Sequence, residues 1–199
     1  MAVKTTQEGF GEPRIAQLIF NSPQSAIFWL LVRIYVGWQW LTAGWDKLTG
    51  VEPGWVGPNA GTSMAGFVAG ALKNTTGDHP SVQGWYGGFL TTFVQPATAA
   101  WSYAITFGEI LVGLGLIFGL FTGIAAFFGG LMNANYLMAG AVSTNPALFI
   151  LATWLVLAWR AAGLIGLDRW ALPLVGVPGE PGKLTLRVER AVRLRTAAP

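Results

Sequence analysis

Two ionisable residues in this 199-residue chain lie inside stretches otherwise free of charge, Arg33 and Glu109. A charged group at mid-bilayer costs roughly 2.5–3.5 kcal/mol on insertion scales, so each needs a partner or a task. If the first apolar stretch begins near Gln24, Arg33 lies about 14 Å from one end, and Glu109, coming from the opposite side, reaches a similar depth. Opposite signs at one depth predict a pair, which would either fix the register of two helices or move protons. Asn133 and Tyr136 fall in the same layer, the asparagine serving a neighbouring helix or a ligand. Arg33, Gly37, Trp40 and Gly44 recur at spacings of four, three and four, which places them on one helical face. A cation, an aromatic plate and two small residues on one face suit a planar head group or another helix. Lys47 ends that stretch, and with Lys73 and His79 it supplies groups that attract a small anion. Each of the three reads equally as a solvated residue.

Composition limits the chemistry. There is no cysteine, which excludes disulfides, thiolate catalysis and cysteine-ligated iron–sulfur clusters. A single histidine excludes a bis-histidine haem within the chain, and no carboxylate–histidine set could hold two irons. If the protein does redox work, its electrons pass through a diffusible organic cofactor or a partner subunit.

The elements that carry these residues are membrane helices. The chain is 53% hydrophobic and 11% charged, whereas a soluble domain carries about 25% charged residues. Ser22 followed by Pro23 reads as a helix start. A first span then covers about 24–46. Residues 110–159 contain no charged side chain, too long a run for one span of about 20 residues. Division at Phe121–Thr122 gives spans at about 98–120 and 122–142. A fourth, capped by Asn145 before Pro146, covers about 146–166. The predicted fold is an all-α four-helix membrane bundle, with an extracytoplasmic cap of short interfacial helices over 48–96. The segment 168–199 carries Arg169, Lys183, Arg187, Arg190, Arg193 and Arg195. Lysine and arginine mark cytoplasmic loops, so the expectation is a multi-pass cell-membrane protein with both termini in the cytoplasm. That tail could also lie along anionic headgroups. Nothing in it favours nucleic acid.

Val32-Arg33-Ile34-Tyr35-Val36-Gly37, followed by Gly44-Trp45-Asp46-Lys47-Leu48, resembles the first-helix signature of the DoxX/DoxD-like membrane proteins. Glu109, the glycines after it and the turn Gly119-Leu120-Phe121-Thr122 resemble that family's second-helix motif. Gly166-Leu167-Asp168-Arg169-Trp170 looks like the end of the last helix in the DoxD type. The resemblance implies a four-helix membrane fold. For the DoxD branch it implies a subunit of thiosulfate:quinone oxidoreductase, which joins two thiosulfates into tetrathionate and reduces quinone. In that setting Arg33 would hydrogen-bond a quinone carbonyl, Glu109 would deliver protons, and Trp40 would stack on the ring with Asn133 and Tyr136 nearby. Lys47, Lys73 and His79 would meet the dianion. The partners implied are membrane lipid, the quinone pool, thiosulfate or a similar anion and a DoxA-like second subunit. A second copy of the chain is a further candidate partner. The rival reading is a non-catalytic scaffold that docks a soluble redox protein. A small-anion transporter fits less well, because no inverted repeat or broken-helix pair is evident.

Overall fold

A computed structural model describes residues 12–177. The basic tail from Lys183 to Arg195 lies outside them. The described chain is helical, with no strand among its residues. A short helix, α1 (Arg14–Phe20), precedes a 3-10 turn at Pro23–Ser25, where Ser22 Oγ accepts the Gln24 N–H at 3.1 Å. That turn opens α2 (Ala26–Thr49), which ends on Gly50 in the left-handed conformation. Next come α3 (Thr62–Lys73) and α4 (Gly84–Phe89). A π turn at Leu90–Val94 and a 3-10 turn at Gln95–Ala97 join α4 to α5 (Thr98–Phe118). The remaining helices are α6 (Thr122–Met138), α7 (Asn145–Leu157), α8 (Trp159–Gly163) and α9 (Asp168–Ala171).

Helices α2, α5, α6 and α7 form a closed ring of packed neighbours, α2 on α5, α5 on α6, α6 on α7 and α7 on α2. By length and composition, two helices could cross a membrane, Pro23–Thr49 and Gly84–Phe118. The outer surface of the ring is apolar. Phe28, Leu31 and Trp38 on α2, Leu111 and Phe118 on α5 and Ile124, Phe127 and Phe128 on α6 are all exposed. A soluble monomer rarely exposes a belt of that extent.

Missing side chains set the α2–α5 contact. A Cβ on Gly113 would come within 2.6 Å of the Leu41 backbone N, and one on Gly44 would come within 2.7 Å of Ile110. Small residues let helix backbones approach closely where lipid supplies no hydrophobic drive to pack. These contacts set Gly44 beside Ile110, Leu41 beside Gly113 and Arg33 beside Gly119.

The segment 48–96 is a second packed unit on one end of the ring. Met64, Val68 and Ala71 of α3 bury with Val82, Tyr86, Leu90 and Val94, and with Ala139 just past α6. Tyr86 Oη donates to the Asn135 carbonyl at 3.0 Å, tying the unit to the end of α6. Its last helix is not a separate short interfacial piece, because helical turns continue from Gly84 into α5. Pro96 removes an N–H and crowds the carbonyl four residues earlier, so the run bends there. Trp101 Nε1 reaches back to the Phe93 carbonyl at 2.9 Å, and its ring meets Phe89 at 6.3 Å. Twelve residues of straight helix would hold those rings about 18 Å apart.

Candidate functional site

The two buried charges do not meet. Glu109, 1% exposed, faces the end of α2. Its Oε2 is 2.9 Å from Lys47 Nζ, and its Oε1 accepts the Tyr136 hydroxyl at 2.7 Å. Arg33, also 1% exposed, lies fourteen residues earlier on α2, about 21 Å down that helix. The expected Arg33–Glu109 pair is therefore corrected to two separate sites. Its premise was that the helices end flush. The glycine contacts instead bring the inner end of α5, Gly119, level with Arg33 and leave the first turns of α2 beyond it.

Around Glu109 the structure gathers residues from four elements. Lys47 continues the α2 face of Arg33, Gly37, Trp40 and Gly44 by three more positions, so it turns into the bundle rather than out to solvent. It is 7% exposed. Its ammonium also lies 3.6 Å from Glu52 Oε2 and 5.0 Å from the centre of the Trp55 ring. Glu52 stands at the surface, with its side chain half exposed. The Tyr136 ring is stacked with Trp40 at 6.4 Å and meets Phe67 of α3 edge-on at 6.0 Å. A chain of polar groups thus runs from Glu52 at the surface through Lys47 and Glu109 to Tyr136.

Tyr136 forms part of the wall of a cavity of about 280 Å³ between α3, α4, α5 and α6. Aromatic and sulfur-bearing side chains dominate that wall, among them Phe67, Tyr86, Phe89 and Trp101, while Asn135 and Tyr136 bring its polar atoms. Nearby, the Trp40 indole N–H is buried without an acceptor. A Cβ on Gly129 would lie 2.9 Å from that nitrogen. On α5, the hydroxyls of Ser102 and Thr106 are also buried without partners, on the face that carries Glu109.

Asn133 serves a helix neighbour. Its Nδ2 donates to Asn145 Oδ1 at 2.9 Å, and Asn145 Nδ2 donates to the Ala141 carbonyl at 2.8 Å. Asn145 consequently joins α6 to α7 and makes no cap hydrogen bond at the start of α7. The Asn133 Oδ1 has no partner. Lys73 and His79 are exposed at the far end of α3 and in the loop after it. Lys47, the third group expected to meet an anion, is buried. Lys47 is flanked instead by two carboxylates.

The Arg33 site is a clasp between helix ends. Arg33 Nη2 donates to the Ile165 carbonyl at 2.9 Å, and a Cβ on Gly119 or Gly166 would collide with the guanidinium. Asp168, close enough to act electrostatically on Arg33, accepts the N–H groups of Phe121 and Thr122 at 2.5 and 2.9 Å. One donor belongs to the left-handed Phe121 itself, at φ 49°, and the other to Thr122, the first residue of α6. A carboxylate at a helix N-terminus satisfies orphan donors and opposes the dipole. Here it also holds a residue in a costly conformation. The backbone adds Leu167 N–H to the Phe118 carbonyl at 3.0 Å and Asp168 N–H to the Gly119 carbonyl at 2.8 Å.

Glu52, Trp55 and Phe67 escaped the sequence reading because they come from the cap and have no helical spacing to tie them to Glu109. Asp168 was visible only as part of the last-helix motif. A family model described as TQO small subunit DoxD matches residues 28–177, which include both sites. No curated protein and no solved structure matches the chain.

Proposed function

This chain belongs to the DoxD family, and on that premise we propose that it is the membrane subunit of a thiosulfate:quinone oxidoreductase whose quinone chemistry is served by Glu109. In this reading the segments 24–46, 98–120, 122–142 and 146–166 cross the membrane, both termini are cytoplasmic, and 48–96 caps the outer face.

The observation that carries the assignment is the linked series Glu52, Lys47, Glu109 and Tyr136, which leads from the surface to the wall of an aromatic cavity. Purely structural pairing would need no outlet at the surface and no cavity at the inner end. The cavity suits an uncharged ring. Its wall is aromatic, it has hydrogen-bonding groups at Asn135 and Tyr136, and no charged side chain lines it. Quinone, when bound, takes up two electrons and two protons. Tyr136 is the proton-bearing group between the cavity and the carboxylate. A proton leaving its hydroxyl is replaced through Glu109, and Lys47 and Glu52 connect that carboxylate to the outer water. Lys47 holds Glu109 in position, and Trp40 and Phe67 fix the Tyr136 ring.

The reducing end of the reaction falls to thiosulfate. Lys47 is engaged by carboxylates that repel a dianion. Lys73 and His79, exposed on the cap, are left to draw the anion toward this face or toward a second subunit docked on it. Lacking cysteine, the chain cannot carry sulfur as a cysteine adduct.

The test is thiosulfate-driven reduction of a quinone analogue by the purified protein, alone and with the second subunit. Turnover that depends on Glu109 supports the reading. A protein that binds a redox partner but neither binds quinone nor turns over in either setting is the scaffold, and the proposal fails.

A further inference from the structure

Outside the cavity, an apolar groove of about 820 Å³ lies between α5 and α6. It runs from Trp101 past Gly108 and Gly115 to Phe118 along α5, about 26 Å of helix. Ala104, Gly108 and Gly115 on α5 and Ala125 on α6 leave its floor low. Leu111, Ile124 and Phe128 stand exposed along its rims. Its upper end adjoins the aromatic cavity, since Trp101, Ile105, Leu131 and Met132 line both.

The geometry points to this groove as the seat of an isoprenoid chain, whose uncharged ring head reaches the Tyr136 cavity laterally between α5 and α6. The inference rests on the quinone reading of that cavity and adds the place of the molecule's hydrocarbon tail and its route of entry. Three features favour this occupant. The groove is apolar along its length and leads at one end only into hydrogen-bonding groups, which matches a molecule with a polar ring and a hydrocarbon tail. No lysine, arginine or histidine lines either the groove or the cavity, so a phospholipid drawn in head first would bury its phosphate without a cation. Ala104 and Gly108 lie about 6 Å apart along α5 on the floor, room for a side methyl of a branched chain.

The experiment uses the full chain in lipid nanodiscs and two probes. One is a pair of quinones with the same ring, with and without an isoprenoid tail, whose binding is followed by tryptophan quenching. The other is a photoactivatable isoprenoid alcohol with no quinone ring, whose attachment sites are mapped by mass spectrometry. The expected results are a gain of tenfold or more in affinity from the tail and labelling of α5 and α6 within 104–131. In L111W that gain should vanish while the tailless quinone binds as before, and in G108F both quinones should bind more weakly. A Cβ at Gly108 meets Met132 at an ordinary 3.6 Å, so the ring projects into the junction of groove and cavity without displacing backbone. L111W is changed at an exposed position on the rim. Equal affinity of the two quinones, or an isoprenoid probe that labels elsewhere or is displaced by phospholipid alone, overturns the assignment. Labelling of the groove with no binding of either quinone would leave an isoprenoid site and sink the quinone reading instead.

Discussion

Each end of α2 holds a buried cation, and the two are used in opposite ways. Lys47 sits against a carboxylate, beside a second carboxylate at the surface, and leads through Tyr136 to a cavity. Arg33 is met by a backbone carbonyl and two glycines, and its neighbouring carboxylate is spent on the N–H groups of Phe121 and Thr122. The first arrangement has side-chain groups that can exchange protons in sequence, an outlet and space for a ligand. The second has backbone partners, no cavity lined by Arg33 among those described, and a turn that would spring apart without it. Burial of charge alone therefore does not mark a chemical site. What a buried charge touches, backbone or titratable side chain, distinguishes the two.

The largest expected effect is structural. Arg33→Met removes the guanidinium from the Ile165 carbonyl and from the neighbourhood of Asp168, which should cost about 1.5–3 kcal/mol, the scale for a hydrogen bond to a charged group. Thermal unfolding in detergent measures it, and whatever protein remains folded should retain quinone turnover. Loss of turnover in well-folded Arg33→Met would erase the contrast between the two ends. Next comes Glu109→Gln, which keeps shape and hydrogen bonding but removes the acid. Turnover of the protein that remains folded should fall about 10²-fold, the lower range for losing a general acid–base group, and the unfolding midpoint should drop as well, because buried Lys47 loses its nearest carboxylate. Normal turnover in that variant would end the relay. Asp168→Asn retains an acceptor for the α6 N-terminus but gives up the charge, and should cost about 1 kcal/mol, typical of a weakened cap. Its quinone turnover should not change. The smallest effect belongs to Lys73→Ala, an exposed position where stability should move by less than about 0.5 kcal/mol. A rise in KM for thiosulfate without a change in kcat for quinone would sharpen its role as an attractor of anions.

A single register explains where sequence reasoning succeeded and where it failed. Spacing along one helix was enough to place Arg33, Gly37, Trp40 and Gly44 together, and the same spacing, continued by three, contains Lys47. The turn at Gly119–Thr122 was legible as well, because it interrupts an uncharged run too long for one helix. Depth was not legible. It was counted from helix ends, and the ends are staggered by the close approach of Gly44 to Ile110 and of Gly113 to Leu41.

The sequence by itself determined that the chain is helical and apolar, that it has no cysteine, that Arg33 and Glu109 stand alone in uncharged stretches, and that the DoxD motifs are present. Local spacing and composition carry that information, since helical periodicity and burial preference act residue by residue. Only the tertiary structure decided that Lys47 rather than Arg33 is the partner of Glu109, that Tyr136 stands between that carboxylate and a cavity, and that Asp168 caps α6. Those contacts join residues 27 to 62 positions apart in the chain, and their geometry follows from how far one helix slides past another. That sliding is set by missing side chains at a few glycines, whose effect on register exists only once two backbones are in contact.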